Sequence, residues 1–302
     1  MNNFLVKTSG LTSGKDQADG NSVKTLMLLH GWGMNSQVWE PIREALESQY
    51  HLLWIDLPGH GFNRDVEAQS LEQIVTLVAG GIAEIAPENI HMIGWSLGGL
   101  VAQALAQNIP HRIKSITLVT STPRFSQSLQ AQDGDWQHAM SDEVLNRFAD
   151  NLKKDTEKTL KGFIALQFIG VTDAKLIQGN LINQILYNGK SAKKAGGVFS
   201  DDTKESESAS KSEQSLIPTQ EALDVGLDIL KHVDLRKLTL SCPEHWVFAE
   251  YDRLIPKEVI NDLISLRPDA EITLIDKAGH APFITHPEIF LKRVTDFIEA
   301  LD

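Results

Sequence analysis

The chain has 302 residues, a size that suits one large domain or a core domain with an insertion. Its formal net charge of −12 argues against a nucleic-acid binder or a binder of anionic membranes, because both need a positive face. One cysteine allows no intrachain disulfide. The sequence shows neither an apolar signal segment nor an apolar run of the roughly 18 residues that a membrane span needs. We therefore expect a cytoplasmic globular protein.

The first part of the chain alternates short apolar runs with helical patterns. The predicted strands lie at 4–7, 24–30, 51–57, 89–95 and 113–120. The predicted helices lie at 38–48, at 71–85 and directly after Leu97. Strands that alternate with helices indicate a mostly parallel sheet with crossover helices, which is an α/β architecture.

This alternation stops between about 122 and 235, where the pattern is helical and irregular, and it then resumes. The later elements are predicted at 244–252, 256–266, 271–276 and 287–301. We therefore predict a core formed by residues 1–121 and 236–302 and a helical lid formed by residues 122–235. A polar loop at about 189–215 within the lid is predicted to be disordered, because its composition buries too little surface to offset the entropy of ordering.

A serine stands in the sequence Gly94-Trp95-Ser96-Leu97-Gly98, which has the form G-x-S-x-G. It lies between a predicted apolar strand and a predicted amphipathic helix, which is the context of a nucleophile elbow. The alternative is a tight packing turn between a strand and a helix. The context favours Ser96 as the nucleophile.

A serine nucleophile needs a base, and the base needs an acid that fixes its tautomer. His280 follows the last predicted strand in a glycine-containing loop, at the sheet edge where sites of open α/β sheets form. Asp252, at the end of the strand before it, is the predicted acid, with Glu250 and Asp276 in reserve. The chain order of Ser96, Asp252 and His280 is that of the α/β hydrolases.

An oxyanion hole is predicted after the first buried strand, in "HGWGM" (30–34). The amides of Trp32 and Leu97 are the candidate donors, and the Trp32 ring either lines an acyl pocket or is a buried aromatic. The elbow holds a serine and not the aspartate of dehalogenases and epoxide hydrolases of this architecture. Histidines at metal-ligand spacing and a phosphate-binding loop are absent from the sequence, so we expect a serine hydrolase that needs no metal and no cofactor.

Several longer stretches resemble one family of this fold, the pimeloyl-acyl carrier protein methyl ester esterases of biotin synthesis. The core stretches are "LLHGWGMNSQVWE" (28–40), "IDLPGHG" (55–61), "IGWSLGGLVA" (93–102) and "KAGHAPFITHP" (277–287). The lid stretches are "FIALQFIG" (163–170) and "GLDILKHVDLR" (226–236). The resemblance implies an α/β-hydrolase core with helices on both faces of the sheet and a helical lid. It also implies hydrolysis of a methyl ester on an acyl chain that acyl carrier protein bears.

The same resemblance implies that Phe163 and Gln167 of the lid face an acyl pocket opposite Trp32 and Leu97. From the residues alone, Phe163 is equally well explained as an aromatic of the lid core. Two hypotheses stay open beside the esterase: a related lidded hydrolase that acts on short-chain esters or carbon–carbon bonds, and a ligand receptor without catalytic activity.

Acyl carrier protein is acidic, so a basic docking patch is expected on the lid. The candidates are Lys153, Lys154, Lys158, Lys161 and Lys175, with Lys158 and Lys175 foremost. The alternative is an ordinary solvated helix face. Gly162 and Gly179 stand where the family leads us to expect basic residues.

Overall fold

A single sheet of seven strands organises the part of the chain that the structure describes. The computed structural model describes residues 4–12, 23–83, 85, 88–127, 136–187 and 217–301, so the polar loop predicted at 189–215 lies outside the described residues. The strands are β1 (Lys7–Gly10), β2 (Thr25–Leu29), β3 (His51–Ile55), β4 (Ile90–Trp95), β5 (Ile113–Val119), β6 (Glu244–Ala249) and β7 (Glu271–Ile275). Their order across the sheet is β1-β3-β2-β4-β5-β6-β7, and every neighbouring pair except β1 with β3 is parallel. The predicted α/β architecture is confirmed.

Helices connect the strands. Those of the first half are α1 (Glu40–Glu47), α2 (Leu71–Ile82) and α3 (Leu97–Asn108). Between β5 and β6 lie α4 (Asp142–Lys154), α5 (Thr156–Leu166), α6 (Ala174–Tyr187) and α7 (Gln220–His232). The last are α8 (Val259–Leu266), α9 (Pro282–Thr285) and α10 (Pro287–Glu299). Contacts join α1 to α9 and α10, and separately join α2 to α3, as expected for helices on the two faces of a sheet.

The central strands are buried along their whole length. All residues of β2 and β4 are buried. Apolar runs of this kind form the middle of parallel sheets, where helices cover both faces. The carboxyl ends of β2, β4, β5 and β6 therefore meet at one edge of a rigid sheet, and the residues that follow these strands are held close together.

The first strand is predicted wrongly at 4–7. The strand forms at Lys7–Gly10, where it pairs antiparallel with β3 at the edge of the sheet. The apolar Phe4 before it instead packs against α2, because a Cβ at position 81 of that helix would lie 2.6 Å from Cδ1 of Phe4. An edge strand needs backbone partners more than apolar side chains, so its hydrophobic pattern is weak.

The strand predicted at 244–252 ends earlier, at Ala249. The amide of Glu250 still bonds to the carbonyl of Ile275, but the amide of Asp252 turns back to the carbonyl of Ala249 at 3.2 Å. Asp252 therefore lies in a turn three residues beyond the strand, not at its last position.

The described residues between β5 and β6 form four helices, and three of these helices start at capping residues. The side chains of Ser141, Asp155 and Thr219 accept hydrogen bonds from the first turns of α4, α5 and α7. Helix α5 contacts both α4 and α6, and α7 contacts α3 of the core. The boundaries of a separate lid at 122 and 235 stay a prediction. None of the helices in the described part of the chain is long and apolar enough to cross a membrane.

His245 gives a prediction for stability. Burial in β6, followed by the charge of Arg293, lowers the pKa of His245 from 6.5 to about 4. Its Nε2 contacts Thr273 Oγ1 at 2.9 Å and lies 3.9 Å from Glu271. Because the unfolded imidazole takes up a proton near pH 6.5 and the folded one only near pH 4, this histidine should lower the free energy of unfolding by about 3 kcal/mol as the pH falls through that range.

The variant His245→Gln does not titrate there, so its free energy of unfolding should fall less steeply between pH 7 and pH 4. Urea unfolding at several pH values measures both slopes. Equal slopes in the variant and the wild type would contradict the argument.

Candidate active site

Ser96 occupies a strained turn between β4 and α3. Its φ is 54° and its ψ is −119°, a region that residues with a side chain rarely adopt. Close approach of the backbone makes small neighbours necessary. A Cβ at Gly94 would lie 2.6 Å from the carbonyl oxygen of Gly98, and a Cβ at Gly98 would lie 2.4 Å from that of Leu29. The glycines thus let β4, α3 and the end of β2 meet, with the serine at the apex.

The end of β5 fixes the backbone of this turn. The amide of Ser96 donates to the carbonyl of Val119 at 3.0 Å. The carbonyl of Ser96 accepts from the hydroxyl of Ser121 at 2.9 Å and from the amide of Gly99 at 2.9 Å. Ser96 itself is buried. The strained conformation is therefore held by several hydrogen bonds.

His280 and Asp252 form a buried pair. Nδ1 of His280 lies 2.7 Å from Oδ2 of Asp252, and the other carboxylate oxygen accepts from the amides of Leu254 and Ile255 at 2.8 and 3.1 Å. An ionised carboxylate only accepts hydrogen bonds, so the proton of this pair lies on Nδ1. Nε2 is then left as the acceptor. It is buried and has no hydrogen-bond partner among the described residues.

Three segments hold the backbone of His280 in place. Its amide donates to the carbonyl of Gln167 at 3.0 Å. Its carbonyl accepts from Nε1 of Trp95 at 2.8 Å and from Oγ1 of Thr120 at 2.6 Å. Trp95 directly precedes Ser96, so the hydrogen bond from Trp95 connects the histidine loop to the serine turn.

The reserve acids lie elsewhere. Glu250 accepts from the amide of Lys277 at 3.0 Å, and Asp276 is exposed. His286, a second histidine just beyond His280 in the chain, contacts the hydroxyl of Thr285. The structure thus brings Asp252, and not Glu250 or Asp276, to His280.

Trp32 lies in the turn after β2, next to the serine. A Cβ at Gly31 would lie 3.2 Å from Cβ of Ser96, so the two turns are in contact. The Trp32 ring is buried and packs edge-on against Phe163, with ring centroids 5.0 Å apart. Leu97, the residue after the serine, is also buried. Of the residues predicted for the oxyanion hole and the pocket, Trp32 and Phe163 are therefore in contact.

Behind the Trp32 turn lies a polar cluster that the sequence analysis did not assign. His30 bonds to the carbonyl of Gly31 through Nδ1 at 2.9 Å and accepts from the amide of Leu57 through Nε2 at 2.9 Å. Burial lowers the pKa of His30 to about 4, so the imidazole is neutral at pH 7. Asp56 accepts from the amides of Ser36 and Phe62, and burial raises its pKa.

These contacts hold the Trp32 turn in place. The only sequence signal for them was their place in "HGWG" and "DLPGHG", directly after two buried strands.

Gln167 is buried at the end of α5. Its backbone carbonyl holds His280, but both polar atoms of its side chain lack a hydrogen-bond partner among the described residues. A buried amide without partners costs free energy, about 1–3 kcal/mol for each unpaired group. Gln167 therefore offers a donor and an acceptor close to the histidine loop.

The lysines of the lid differ in their surroundings. Lys153, Lys154, Lys158 and Lys175 are exposed. Lys161 is paired with Glu157 at 2.6 Å, which raises its pKa. The described residues contain no group of three or more His, Cys, Asp or Glu side chains placed to hold a metal ion.

The comparisons with known proteins define the class first. The family model described as alpha/beta hydrolase fold matches residues 24–287, and the chain belongs to this family. A bromoperoxidase structure from Bacillus anthracis superposes with a TM-score of 0.76 at 18% identity, over 97% of this chain and 94% of that one. An esterase structure from Exiguobacterium antarcticum gives 0.73 at 16% identity, over 99% and 100%. At these identities the structures show the shared fold.

Curated relatives define the family more narrowly. Pimeloyl-[acyl-carrier protein] methyl ester esterase of Pectobacterium carotovorum is 34% identical, with 94% of this chain and 98% of that protein covered. The proteins of the same name from Photobacterium profundum and Pseudoalteromonas atlantica are 33% and 35% identical, with 91% and 88% of this chain and 94% and 90% of those proteins covered. The chain belongs to the family of pimeloyl-[acyl-carrier protein] methyl ester esterases, which are carboxylic ester hydrolases.

The packing of the elbow gives a second prediction. In Gly98→Ala, the new Cβ would lie 2.4 and 2.5 Å from the carbonyl oxygens of Leu29 and His30, both of which belong to the backbone. Overpacking of this kind costs about 1–3 kcal/mol, so the free energy of unfolding should fall by about 2 kcal/mol. Urea unfolding measures it.

Gly80→Ala in α2 is the matched control, because a Cβ there would meet nothing within 4 Å. This variant should be as stable as the wild type or more stable by up to about 1 kcal/mol. Equal effects of the two substitutions would refute the close approach at Gly98.

Proposed function

We propose that the protein is a serine esterase that hydrolyses the methyl ester of pimeloyl-[acyl-carrier protein] to methanol and free pimeloyl-[acyl-carrier protein] in biotin synthesis. The observation that carries the proposal is the buried His280–Asp252 pair, at 2.7 Å, in which the carbonyl of His280 is bonded to Trp95, the residue directly before Ser96. The named relatives, which match over nearly the whole chain, support the choice of substrate.

In the proposed mechanism, Oγ of Ser96 attacks the ester carbonyl while Nε2 of His280 takes its proton. Asp252 holds the imidazole in the required tautomer and stabilises the imidazolium that forms. The amides of Trp32 and Leu97 stabilise the negative charge on the tetrahedral intermediate. The C–O bond to the methoxy group then breaks, and His280 returns the proton to the departing methanol. Water attacks the acyl-enzyme with His280 again as the base.

The acyl chain is proposed to lie between the core and the lid, in contact with Trp32, Leu97, Phe163 and Gln167. The aromatic contact of Trp32 with Phe163 supports an apolar lining. The unpaired side-chain amide of Gln167 supports a polar contact with substrate, because a bound oxygen or N–H group would satisfy it.

The carrier protein is proposed to dock on the lid through Lys158 of α5 and Lys175 of α6, with Lys153 and Lys154 nearby in sequence. Their exposure leaves them available to an acidic partner. Lys161 contributes less, because Glu157 already balances its charge. A cytoplasmic site of action is part of the proposal and suits a chain with one cysteine.

The substitution Ser96→Ala tests the mechanism. Without the nucleophile, hydrolysis of p-nitrophenyl acetate and of the methyl ester on the carrier protein should fall by at least about 10³-fold. Undiminished turnover by a folded Ser96→Ala variant would sink the mechanism. The gene should also restore growth of a biotin-requiring strain that lacks its own esterase, and the Ser96→Ala gene should not.

Complementation separates the alternatives. A related hydrolase of short esters or carbon–carbon bonds would turn over the model ester or its own substrate but would not restore growth. A receptor would do neither and would still bind a ligand.

Charge reversal tests the docking surface. The double variant Lys158→Glu, Lys175→Glu should raise KM for the carrier-bound ester by about tenfold and leave the kinetics with p-nitrophenyl acetate unchanged, because only the large substrate touches the patch. Steady-state kinetics with both substrates measure this. The control is Lys114→Glu, which lies at the amino end of β5, away from the sheet edge that carries the site. It should leave the kinetics with both substrates unchanged. Equal KM values in the double variant and the control would contradict docking on these lysines.

A further inference from the structure

We infer that Gly226 of α7 is a positioning residue of the oxyanion turn. Because position 226 carries no side chain, the indole of Trp32 docks on α7, and α7 thereby fixes the turn that bears the Trp32 amide. The inference rests on the proposed function, since it takes that amide as an oxyanion donor.

A hydrogen bond joins the indole of Trp32 to α7. Nε1 of Trp32 donates to the carbonyl oxygen of Leu223 at 2.9 Å, and both residues are buried. The two residues lie 191 positions apart in the chain, so this bond connects the core turn to the helix that precedes β6. A buried indole N–H needs such a partner, and loss of the bond would leave it unpaired.

The space over Gly226 is what admits the ring. A Cβ at position 226 would lie 2.7 Å from Cδ1 and 3.2 Å from Nε1 of Trp32, the two atoms at the hydrogen-bonding edge of the indole. It would also lie 3.2 Å from Cδ2 of Leu97. Any side chain at 226 would therefore push on the residues that supply both proposed oxyanion amides.

Aromatic side chains of the lid also contact the Trp32 ring. Phe163 of α5 lies 5.0 Å from the Trp32 ring, and Phe148 of α4 lies 6.5 Å from it, both edge-on. These two phenyl rings also contact each other at 5.7 Å. The indole thus contacts α7 and two aromatic side chains, and these contacts limit its movement.

The turn itself has little freedom to absorb a shift of the ring. On one side, a Cβ at Gly31 would lie 3.2 Å from Cβ of Ser96. On the other, Gly33 has a φ of 71°, and a Cβ there would lie 2.7 Å from Cδ2 of Leu160. Displacement of the Trp32 ring should therefore move its amide relative to Ser96.

Helix propensity does not account for a glycine at this position. A glycine inside a helix costs about 1 kcal/mol relative to alanine. Gly162 of α5 and Gly179 of α6 are also helical, but a Cβ on either would meet nothing within 4 Å. Among these three glycines, only Gly226 has neighbours that a Cβ would crowd, and Trp32 is the nearest of them.

The test compares Gly226→Ala with Gly162→Ala, the same change on another lid helix. With p-nitrophenyl acetate, kcat of Gly226→Ala should fall roughly 10²-fold, because a displacement of about 1 Å has an effect of that size. KM should change by less than about threefold, since the lost interaction forms in the transition state. Gly162→Ala should keep the wild-type kcat. Thermal unfolding by circular dichroism shows that both variants are folded.

A double-mutant cycle tests whether the effect passes through Trp32. In a Trp32→Phe background the smaller ring leaves room for a methyl group, so Gly226→Ala should lower kcat by less than about threefold there. Two results would overturn the inference: a kcat of Gly226→Ala equal to that of Gly162→Ala, or equal losses in both backgrounds. If Gly226→Ala does not fold, the single variant Trp32→Phe serves as the test, because it removes the hydrogen bond to Leu223. A wild-type kcat in Trp32→Phe would overturn the inference.

A separate measurement distinguishes failure of the proposed function from failure of this inference. If wild type and Ser96→Ala hydrolyse the ester equally, the serine mechanism is wrong. The indole N–H signal of Trp32 in ¹H–¹⁵N spectra, assigned with Trp32→Phe, still reports on docking. This signal should shift and exchange faster with solvent in Gly226→Ala than in Gly162→Ala. An unchanged signal overturns the inference whatever the activity.

Discussion

The close approach of β4, α3 and the end of β2 around Ser96 is the constraint on which the rest of the site depends. At Gly94 and Gly98 the chain segments are so near that a single methyl group would overlap backbone atoms. This contact forces the reversal that leaves Ser96 in a conformation with positive φ. A turn of this kind persists only where the surroundings over-determine it, and here they do. Its amide and its carbonyl are both bound by the end of β5, through Val119 and Ser121.

The histidine loop depends on the same sheet edge. The carbonyl of His280 accepts two hydrogen bonds, from Trp95 at the end of β4 and from Thr120 directly after β5. The amide of His280 is bound by Gln167 from the insertion between β5 and β6. A Cβ at Gly279 would lie 2.3 Å from that same carbonyl oxygen of Gln167. The insertion therefore does more than cover the sheet, because it sets the position of the histidine backbone.

Much of this architecture follows from patterns that the sequence displays directly. The buried strands are continuous apolar runs, so their existence is predictable from the sequence, and the mostly parallel sheet is confirmed. The edge strand β1 was misplaced because an edge is defined by its backbone partner, β3, which no local pattern reveals. The end of β6 was placed too late because Asp252 sits in a turn set by contacts with the loop after β7, as the bond from Tyr251 to Ala278 shows.

Some site residues could be proposed from the sequence and others could not. Ser96, Asp252 and His280 could be proposed because each follows a strand and a serine mechanism requires those residue types in that chain order. His30 and Asp56 were not assigned, because they act on backbone groups of other segments. Gly226 could not be assigned from sequence at all. A glycine within a helix has many explanations, and only the position of the Trp32 indole selects one of them.

The buried polar groups around the site differ in whether they have hydrogen-bond partners. Behind the Trp32 turn, both ring nitrogens of His30 and both carboxylate oxygens of Asp56 have partners. At the histidine loop, the side-chain amide of Gln167 and Nε2 of His280 have none among the described residues. Unpaired buried atoms also occur elsewhere, for example in His245, so their presence alone carries little weight.

Their arrangement carries more, because a backbone hydrogen bond joins Gln167 to His280 and so holds the two residues close together. Leaving such groups unpaired destabilises the free protein by about 1–3 kcal/mol each, and a substrate that pairs them recovers that free energy on binding. Donors and acceptors that other contacts already hold in place suit the preorganised stabilisation of a transition state, because they need no rearrangement during the reaction.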